Sequence, residues 1–259
     1  MNEPLISIIT VTFNAGDVIE PTLRSVSEQS FGDYEHIVVD GGSTDATLAL
    51  ASRFRRPGFE IHSKPDSGIY HGMNRGLDYA RGRYVVFLNA GDRFASHQTL
   101  AQYAAAITEG DPSPDIVYGD TVIVDADGRV LRPRHLRAPD LLTYNSYLDG
   151  MLVCHQAFMV RREIAPKYSR EFKLSADYDW CLACIANSGL TRRRNLRTVT
   201  VHYLDGGMSQ KRKLASLRER FIIMRRRFGL GAALRAHLGF IPRALRRLVR
   251  VTPAAGSAR

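Results

Sequence analysis

At 259 residues, with 44% hydrophobic and 24% charged residues, the chain can bury a full core as one domain plus a modest extension, and wholesale disorder is excluded. The formal charge of +10 is unevenly placed: residues 211–259 hold 14 Lys and Arg against the single acid Glu219, so they carry +13 and leave −3 for the first 210 residues. Met1-Asn2-Glu3-Pro4 has no basic leader region, no run reaches roughly 18 apolar residues, and three cysteines form no even-numbered framework. A signal peptide, a spanning helix and a disulfide scaffold are therefore not expected, and a reducing cytoplasm fits.

In chain order, Ile6 to Thr12, Glu35 to Asp40 and Tyr84 to Asn89 are short, β-branched, buried-strand patterns. Each runs into a turn and then a helical pattern. Asp17 to Gln29 has helical spacing, Asp45 to Phe54 follows Gly41-Gly42-Ser43-Thr44, and His71 to Ala80 follows Asp66-Ser67-Gly68. Strand, loop and helix repeated in this way predict an α/β fold with a largely parallel sheet covered on both faces. Past Asp115 the pattern changes, with strands at Ile116 to Val124 and Gly128 to Arg132 around an Asp127-Gly128 hairpin turn, so the sheet becomes mixed. A helix at about Asp177 to Ala186 and a strand at Thr198 to Tyr203 follow. The basic segment 211–259 has two amphipathic helical patterns, one from Leu214 to Phe228 and one from Leu230 to Leu248 with Pro242 as a kink; Arg243, Arg246, Arg247 and Arg250 share a face of the second.

In parallel sheets, ligands collect beyond the carboxyl ends of the strands, which makes acids there functional candidates. Asp40 ends one strand and is followed by a glycine pair; Asp92 follows another by Asn89-Ala90-Gly91. Carboxylates so placed can accept from a base or ribose, or ligate the divalent ion of a diphosphate. They can equally cap turns. The loop after the first strand, Thr12-Phe13-Asn14-Ala15-Gly16, has no glycine triplet, and no phosphate-binding P-loop sequence occurs, so a dinucleotide fingerprint and a P-loop NTPase are excluded.

Ile8-Ile9-Thr10-Val11-Thr12-Phe13-Asn14, Val38-Val39-Asp40-Gly41-Gly42-Ser43-Thr44-Asp45, Pro65 to Tyr70, Met73-Asn74-Arg75-Gly76, Phe87 to Asp92 and Ala176 to Asp179 resemble, in that order, the motif series of glycosyltransferase family 2. The likeness is to its branch that builds bacterial exopolysaccharides and glycolipids, colanic-acid-type enzymes included. It implies a GT-A fold over residues 1–210 with the basic helical extension 211–259 appended. It also implies an inverting transfer of a sugar from a nucleotide-diphosphate donor to a hydroxyl of a lipid-linked oligosaccharide or glycolipid. By the same resemblance Thr12, Asn14, Asp40, Asp66, Asn74, Arg75 and Asn89 contact the donor, and Asp92 is the last acid of the metal-binding motif for Mn2+ or Mg2+. Asp177 is the general base, and His155 and Gln156 lie on the acceptor side. Two departures stand out: Asn89-Ala90-Gly91-Asp92 leaves one carboxylate at the usual metal position, and His71 occupies a position where this branch often has an acid.

His202 is weighed as a further metal ligand against a satisfied structural histidine. Cys181 and Cys184, on a helix with Trp180, Leu182 and Ile185, are expected as core rather than as a zinc or redox pair. Leucines on one face and arginines on another in the tail suit peripheral contact with an anionic membrane on the inner face of the cell; sparse aromatics and no groove-reading motif argue against nucleic acid. A charged, solvated helix packed on the domain is the plain alternative. A sugar nucleotidyltransferase and a non-enzymatic membrane- or nucleic-acid-binding module remain as rival functions.

Overall fold

The computed structural model describes residues 3–207 and 212–239. The expected boundary at 210/211, Met208 and Ser209 of the late motif, Pro242 and the four arginines Arg243, Arg246, Arg247 and Arg250 lie outside the described residues.

One mixed sheet of nine strands forms the centre. Its parallel half consists of β1 (Ile6–Thr12), β2 (Tyr34–Asp40), β3 (Phe59–Ser63) and β4 (Tyr84–Phe87) in the order β3-β2-β1-β4. Helices α1 (Ile19–Ser27), α2 (Thr47–Ser52) and α3 (Ile69–Tyr79) make the crossovers. Every residue of β1, β2 and β4 is buried, as expected of strands covered on both faces. The few polar side chains among them are paired: Ser7 Oγ donates to Glu35 Oε1 at 2.7 Å, and Thr10 Oγ1 meets His36 Nε2 at 2.9 Å. Burial, followed by the charge of Arg56, lowers the His36 pKa to about 3, so this histidine is a neutral structural group.

The second half is built from β5 (Arg93–Phe94), β6 (Ile116–Val124), β7 (Val130–Pro133), β8 (Phe158–Arg161) and β9 (Arg193–Leu204), with α4 (Thr99–Thr108) packed on it. β8 lies antiparallel between β4 and β6, and β9 runs parallel to β6. The predicted hairpin is present: β7 pairs antiparallel with β6. Helices α5 (Ala176–Asn187) and α6 (Lys213–Phe228), followed by a helical stretch at 230–239, complete the described chain.

Three elements escape the sequence patterns. β3 reads Phe-Glu-Ile-His-Ser, with one buried residue, because it is the sheet edge. β8 is four residues long, below the length at which periodicity is readable. α4 is Ala-rich, and its mixed face gives a weak helical period. β9 begins at Arg193, five residues before the expected Thr198, because its leading residues are basic yet pair with β6.

The larger core cluster lies under α3, α5 and α6. Trp180 of α5 stacks on Tyr168 at 4.8 Å, receives Phe87 edge-on, and donates Nε1–H to the Pro166 carbonyl at 2.7 Å. Cys181 and Cys184 are buried in this cluster and carry no disulfide, the core role expected of them. The basic segment is joined to the same core through Ile223, Met224 and Ala233. Glu219 of α6 accepts backbone N–H bonds from Lys173, Leu174 and Ser175 at 3.0, 2.9 and 2.9 Å. Those three residues immediately precede α5, so a carboxylate from α6 satisfies donors that the start of α5 would otherwise leave open. Bidentate pairs of Arg226 with Glu171 and Arg227 with Asp179 fasten the same contact.

Candidate active site

The strand order turns at β1: chain succession moves outward through β2 and β3, then jumps to β4 on the other side. Crevices beyond the carboxyl ends of strands at such a reversal are where open α/β sheets bind ligands. The loops that open there are Thr12 to Gly16 after β1 and Leu88 to Asp92 after β4.

On the β1–β2 side, two loops interlock. Ser43 Oγ accepts the Asn14 N–H at 2.7 Å, Asn14 Oδ1 accepts the Thr44 N–H at 3.0 Å, and Asp45 accepts the Gly16 N–H at 2.9 Å. Asn14 adopts φ 46°, a left-handed conformation that asparagine tolerates and that lets it close this loop. Asp40 is fully buried and is filled from within: Oδ2 accepts from Gly42 N, Ser43 N and Ser63 Oγ, and Oδ1 accepts from Ser43 Oγ at 2.5 Å. Burial raises its pKa, and the bonds from Ser43, Ser63 and Gly42 outweigh that and leave it below the ordinary carboxylate range. Asp40 therefore organises the loop as an anion. Thr12 is buried, and its Oγ1 has no partner among the described residues.

Asp66 Oδ2 lies over a floor of two glycines: a Cβ at Gly41 or at Gly72 would stand 3.1 Å from it, and a Cβ at Gly72 would also meet Val11 Cγ1 at 2.6 Å. Phe13, 62% exposed, reaches over the same floor, its Cδ2 3.3 Å from where a Gly41 Cβ would be. An exposed aromatic at a strand end is a feature the motif reading left without a role. Asn74 and Arg75 are differently employed. Asn74 exchanges two hydrogen bonds with the Tyr168 backbone (2.9 and 2.7 Å), and Arg75 donates to the Lys64 carbonyl at 2.7 Å and, at longer range, to those of His62 and Asp40. In this structure both act on the scaffold under the loops.

On the β4 side, Asp92 is buried. Its Oδ2 accepts Gln156 Nε2–H at 2.7 Å and its Oδ1 accepts the Leu204 N–H at 3.0 Å, while Cys154 Sγ–H donates to Gln156 Oε1 at 2.6 Å. Burial pushes the Asp92 pKa up to about 6, against the lowering effect of these bonds and of His155. Among the described residues no group of three or more His, Cys, Asp or Glu could hold a metal ion. Asp92 alone supplies a carboxylate at this end, which suffices for an ion whose other ligands are phosphate oxygens and water. His202 faces elsewhere: it lines a separate depression with Asp17, Glu20 and Arg93. Burial and then Arg93 lower its pKa.

Between α3, α5 and the β4 loop opens a cleft of about 630 Å³ whose walls include Tyr70, Asn89, His155, Gln156, Asp177 and Arg220. Asp177 sits in the first turn of α5, held at its start by the Glu219 carboxylate described above. Its Oδ1 accepts the Tyr70 hydroxyl at 3.3 Å and the Tyr178 N–H at 2.9 Å, and its Oδ2 lies 3.4 Å from His155 Nδ1. Asn89 Nδ2 faces His155 Nε2 at 3.3 Å, which leaves the neutral ring's proton on Nδ1, toward Asp177. Burial raises the Asp177 pKa, but the hydrogen bond and charge of His155, then Arg220 and the Tyr178 N–H, leave it below the usual range. Asn89 Oδ1 is buried without a partner. The structure thus gathers Asn89, His155, Gln156 and Asp177 around one cleft, with Asp92 behind Gln156. Thr12, Asn14, Asp40 and Asp66 stand at the strand ends beside it. Tyr70 and Arg220 were not assigned from sequence: Tyr70 is inside a quoted motif, whereas Arg220 is one of 14 basic residues in the tail with nothing to single it out.

The family model for glycosyl transferase family 2 matches residues 7–169. A PGL/p-HBAD biosynthesis glycosyltransferase of Mycobacterium bovis (strain BCG / Pasteur 1173P2) is 37% identical over 216 residues, 81% of this chain and 80% of that protein. Among solved structures, Staphylococcus aureus TarS 1–349 in complex with UDP-GlcNAc superposes with a TM-score of 0.72 at 20% identity, covering 91% of this chain and 73% of that one. The mannosyltransferase PcManGT of Pyrobaculum calidifontis, in complex with GDP-Man and Mn2+, gives a TM-score of 0.67 at 20% identity, covering 100% of this chain and 77% of that one. The mixed sheet and its flanking helices are the GT-A fold of these enzymes.

Proposed function

The chain belongs to glycosyltransferase family 2 and uses a nucleotide-sugar donor, and from that premise we propose an inverting transfer in which Asp177 is the base. Membership sets aside the nucleotidyltransferase and the non-enzymatic module. The observation that carries the proposal is the position of Asp177: a carboxylate held ionised by its neighbours, in the wall of the one described cleft that also receives the β4 loop. An acceptor hydroxyl beside Asp177 gives its proton to Oδ1 or Oδ2 as its oxygen bonds to the sugar C1. The C1–O bond to the diphosphate breaks, and the electron pair leaves with the nucleoside diphosphate. Attack from the face opposite the leaving group inverts the anomeric centre.

The remaining residues bind and orient. Phe13 offers a face for the base, the interlocked loops of Asn14 and Ser43 shape the nucleoside pocket around the anionic Asp40, and Thr12, Asp66 and Asn89 present polar atoms beside it. Asn74 and Arg75 support that segment from below. Asp92 would be the protein ligand of a divalent ion, Mn2+ or Mg2+, which when bound neutralises charge on the departing diphosphate.

We assign the acceptor to the lipid-linked oligosaccharides or glycolipids of surface polysaccharide synthesis. The motif resemblance and the similarity to the PGL/p-HBAD enzyme support this. No helix of the described residues is long and apolar enough to cross a membrane. Leu214, Leu217, Leu230, Leu234 and Leu238 are exposed on the basic helical segment, which suits contact with an anionic membrane surface.

A panel of nucleotide sugars, scored for binding and turnover with and without Mn2+, tests the reading. Turnover of one donor is expected; absence of binding and hydrolysis for every donor would refute it.

A further inference from the structure

Five basic side chains line the cleft (Arg132, Arg134, Lys173, Lys213 and Arg220), and Asp177 is the only carboxylate among the described residues that do so. Two of the five are already committed. Arg134 donates to the carbonyls of Met151, Leu152 and Leu136, and Arg132 pairs with Asp205 at 3.1 Å. Lys173, Lys213 and Arg220 have no ion pair among the described residues, and residues 208–211 and 240–259 contain no Asp or Glu that could supply one. Arg220 is the most constrained of the three. Its guanidinium lies 6.0 Å from the Tyr178 ring centroid, and its Nε is buried with no hydrogen-bond partner.

These three cations come from α6 and from the loop before α5. None belongs to the loops after β1, β2 or β3 that carry the candidate nucleoside contacts. They surround the base itself. A cation beside a carboxylate favours its ionised form and so weakens it as a proton acceptor, and Arg220 already has that effect on Asp177. For a neutral acceptor sugar this arrangement would oppose the reaction. For an acceptor that carries its own negative charge it is productive: the anion satisfies the cations and restores basicity to Asp177 only when the acceptor is in place. The opposite wall, with Ile69, Met73, Met151 and Leu174, is apolar and suits the non-sugar part of such a molecule.

We propose that the Asp177 end of the cleft is an oxyanion site, built from Lys173, Lys213 and Arg220, that takes an acceptor bearing a phosphate group near the hydroxyl to be glycosylated. This rests on the transferase reading and names the class of its acceptor. Charge-assisted hydrogen bonds from Lys or Arg to phosphate are the strong kind, and loss of two of them corresponds to about a tenfold or larger loss of affinity.

The test uses the full chain and two variants, K173Q/K213Q and R220Q, titrated with inorganic phosphate in the absence and presence of saturating UDP or GDP, whichever binds more tightly. Phosphate should bind the unaltered chain with the nucleotide present. Each variant should lose about tenfold or more in phosphate affinity, keep its nucleoside diphosphate affinity within about twofold, and melt cooperatively. R220Q stands in should the double variant not fold. Phosphate binding that the variants leave unchanged, or no phosphate binding at all, overturns the proposal. So does competition between phosphate and nucleotide with a matching loss of nucleotide affinity in the variants, since the cations would then serve the leaving diphosphate. Failure of the unaltered chain to bind either nucleotide would count against the transferase reading, while the phosphate titration would still report on the three cations.

Discussion

His155 Nδ1 lies 3.4 Å from Asp177 Oδ2, and the imidazole is fixed in that orientation by Asn89 at its other nitrogen. The base is thus tied through one ring to the loop that follows β4. The relationship joins two residues 22 positions apart whose motifs read independently in the sequence.

Replacing His155 by Gln removes both contributions by which the ring lowers the Asp177 pKa, while the burial that raises it remains. The acid limb of the pH–rate profile should therefore move to higher pH. At neutral pH the transfer rate should fall by roughly tenfold, the worth of a hydrogen bond to a charged group. A profile whose acid limb stays in place would show that His155 does not act through Asp177.

Asp92 has its pKa raised to about 6 by burial. A folded-state value above that of the unfolded chain means that the folded protein holds this proton more tightly. The associated stability is present below about pH 4 and is lost as pH rises through 6. The difference corresponds to about 3 kcal/mol. Asp92→Asn removes the buried charge, so the variant in chelator should melt higher than the unaltered chain at pH 8 and close to it at pH 4, while binding of a metal–nucleotide complex weakens.

Glu219→Ala leaves the N–H groups of Lys173, Leu174 and Ser175 without their carboxylate. A loss of about 2 kcal/mol in unfolding free energy is expected. Transfer should fall more than donor binding, because α5 carries Asp177 and the nucleoside loops do not touch α6. Chemical denaturation beside donor titration distinguishes this from a uniform loss.

Removing residues 240–259 leaves α6 and its contacts with α5 intact. Turnover with a soluble acceptor should persist, and sedimentation with vesicles containing anionic lipid should decrease. Unchanged vesicle binding would place the membrane contact on the leucines of residues 214–238 instead.

The parallel half of the sheet was legible because strands buried on both faces are continuous apolar runs, as Ile6 to Thr12 shows. The edge strand β3 and the four-residue β8 were not, since one is half polar and the other too short for a period. The acids at the ends of β2 and β4 could be found by position alone, but position does not say what fills them. Asp40 is saturated by its own loop, and Asp92 is paired with Gln156, a residue 64 positions away. The motif residues Asn74 and Arg75 bond backbone carbonyls and amides that only the folded chain brings near. The tail's charge was visible and its division was not: Glu219, Arg226 and Arg227 fasten α6 to the domain, while Arg220 turns into the cleft.

The most direct test is Asp177→Asn. The amide keeps the size of the carboxylate and can still accept from Tyr70, so donor affinity should stay within about twofold while the transfer rate falls by about 10²-fold or more, the usual worth of a general base. Transfer within about threefold of the unaltered chain would contradict the assignment of Asp177 as the base.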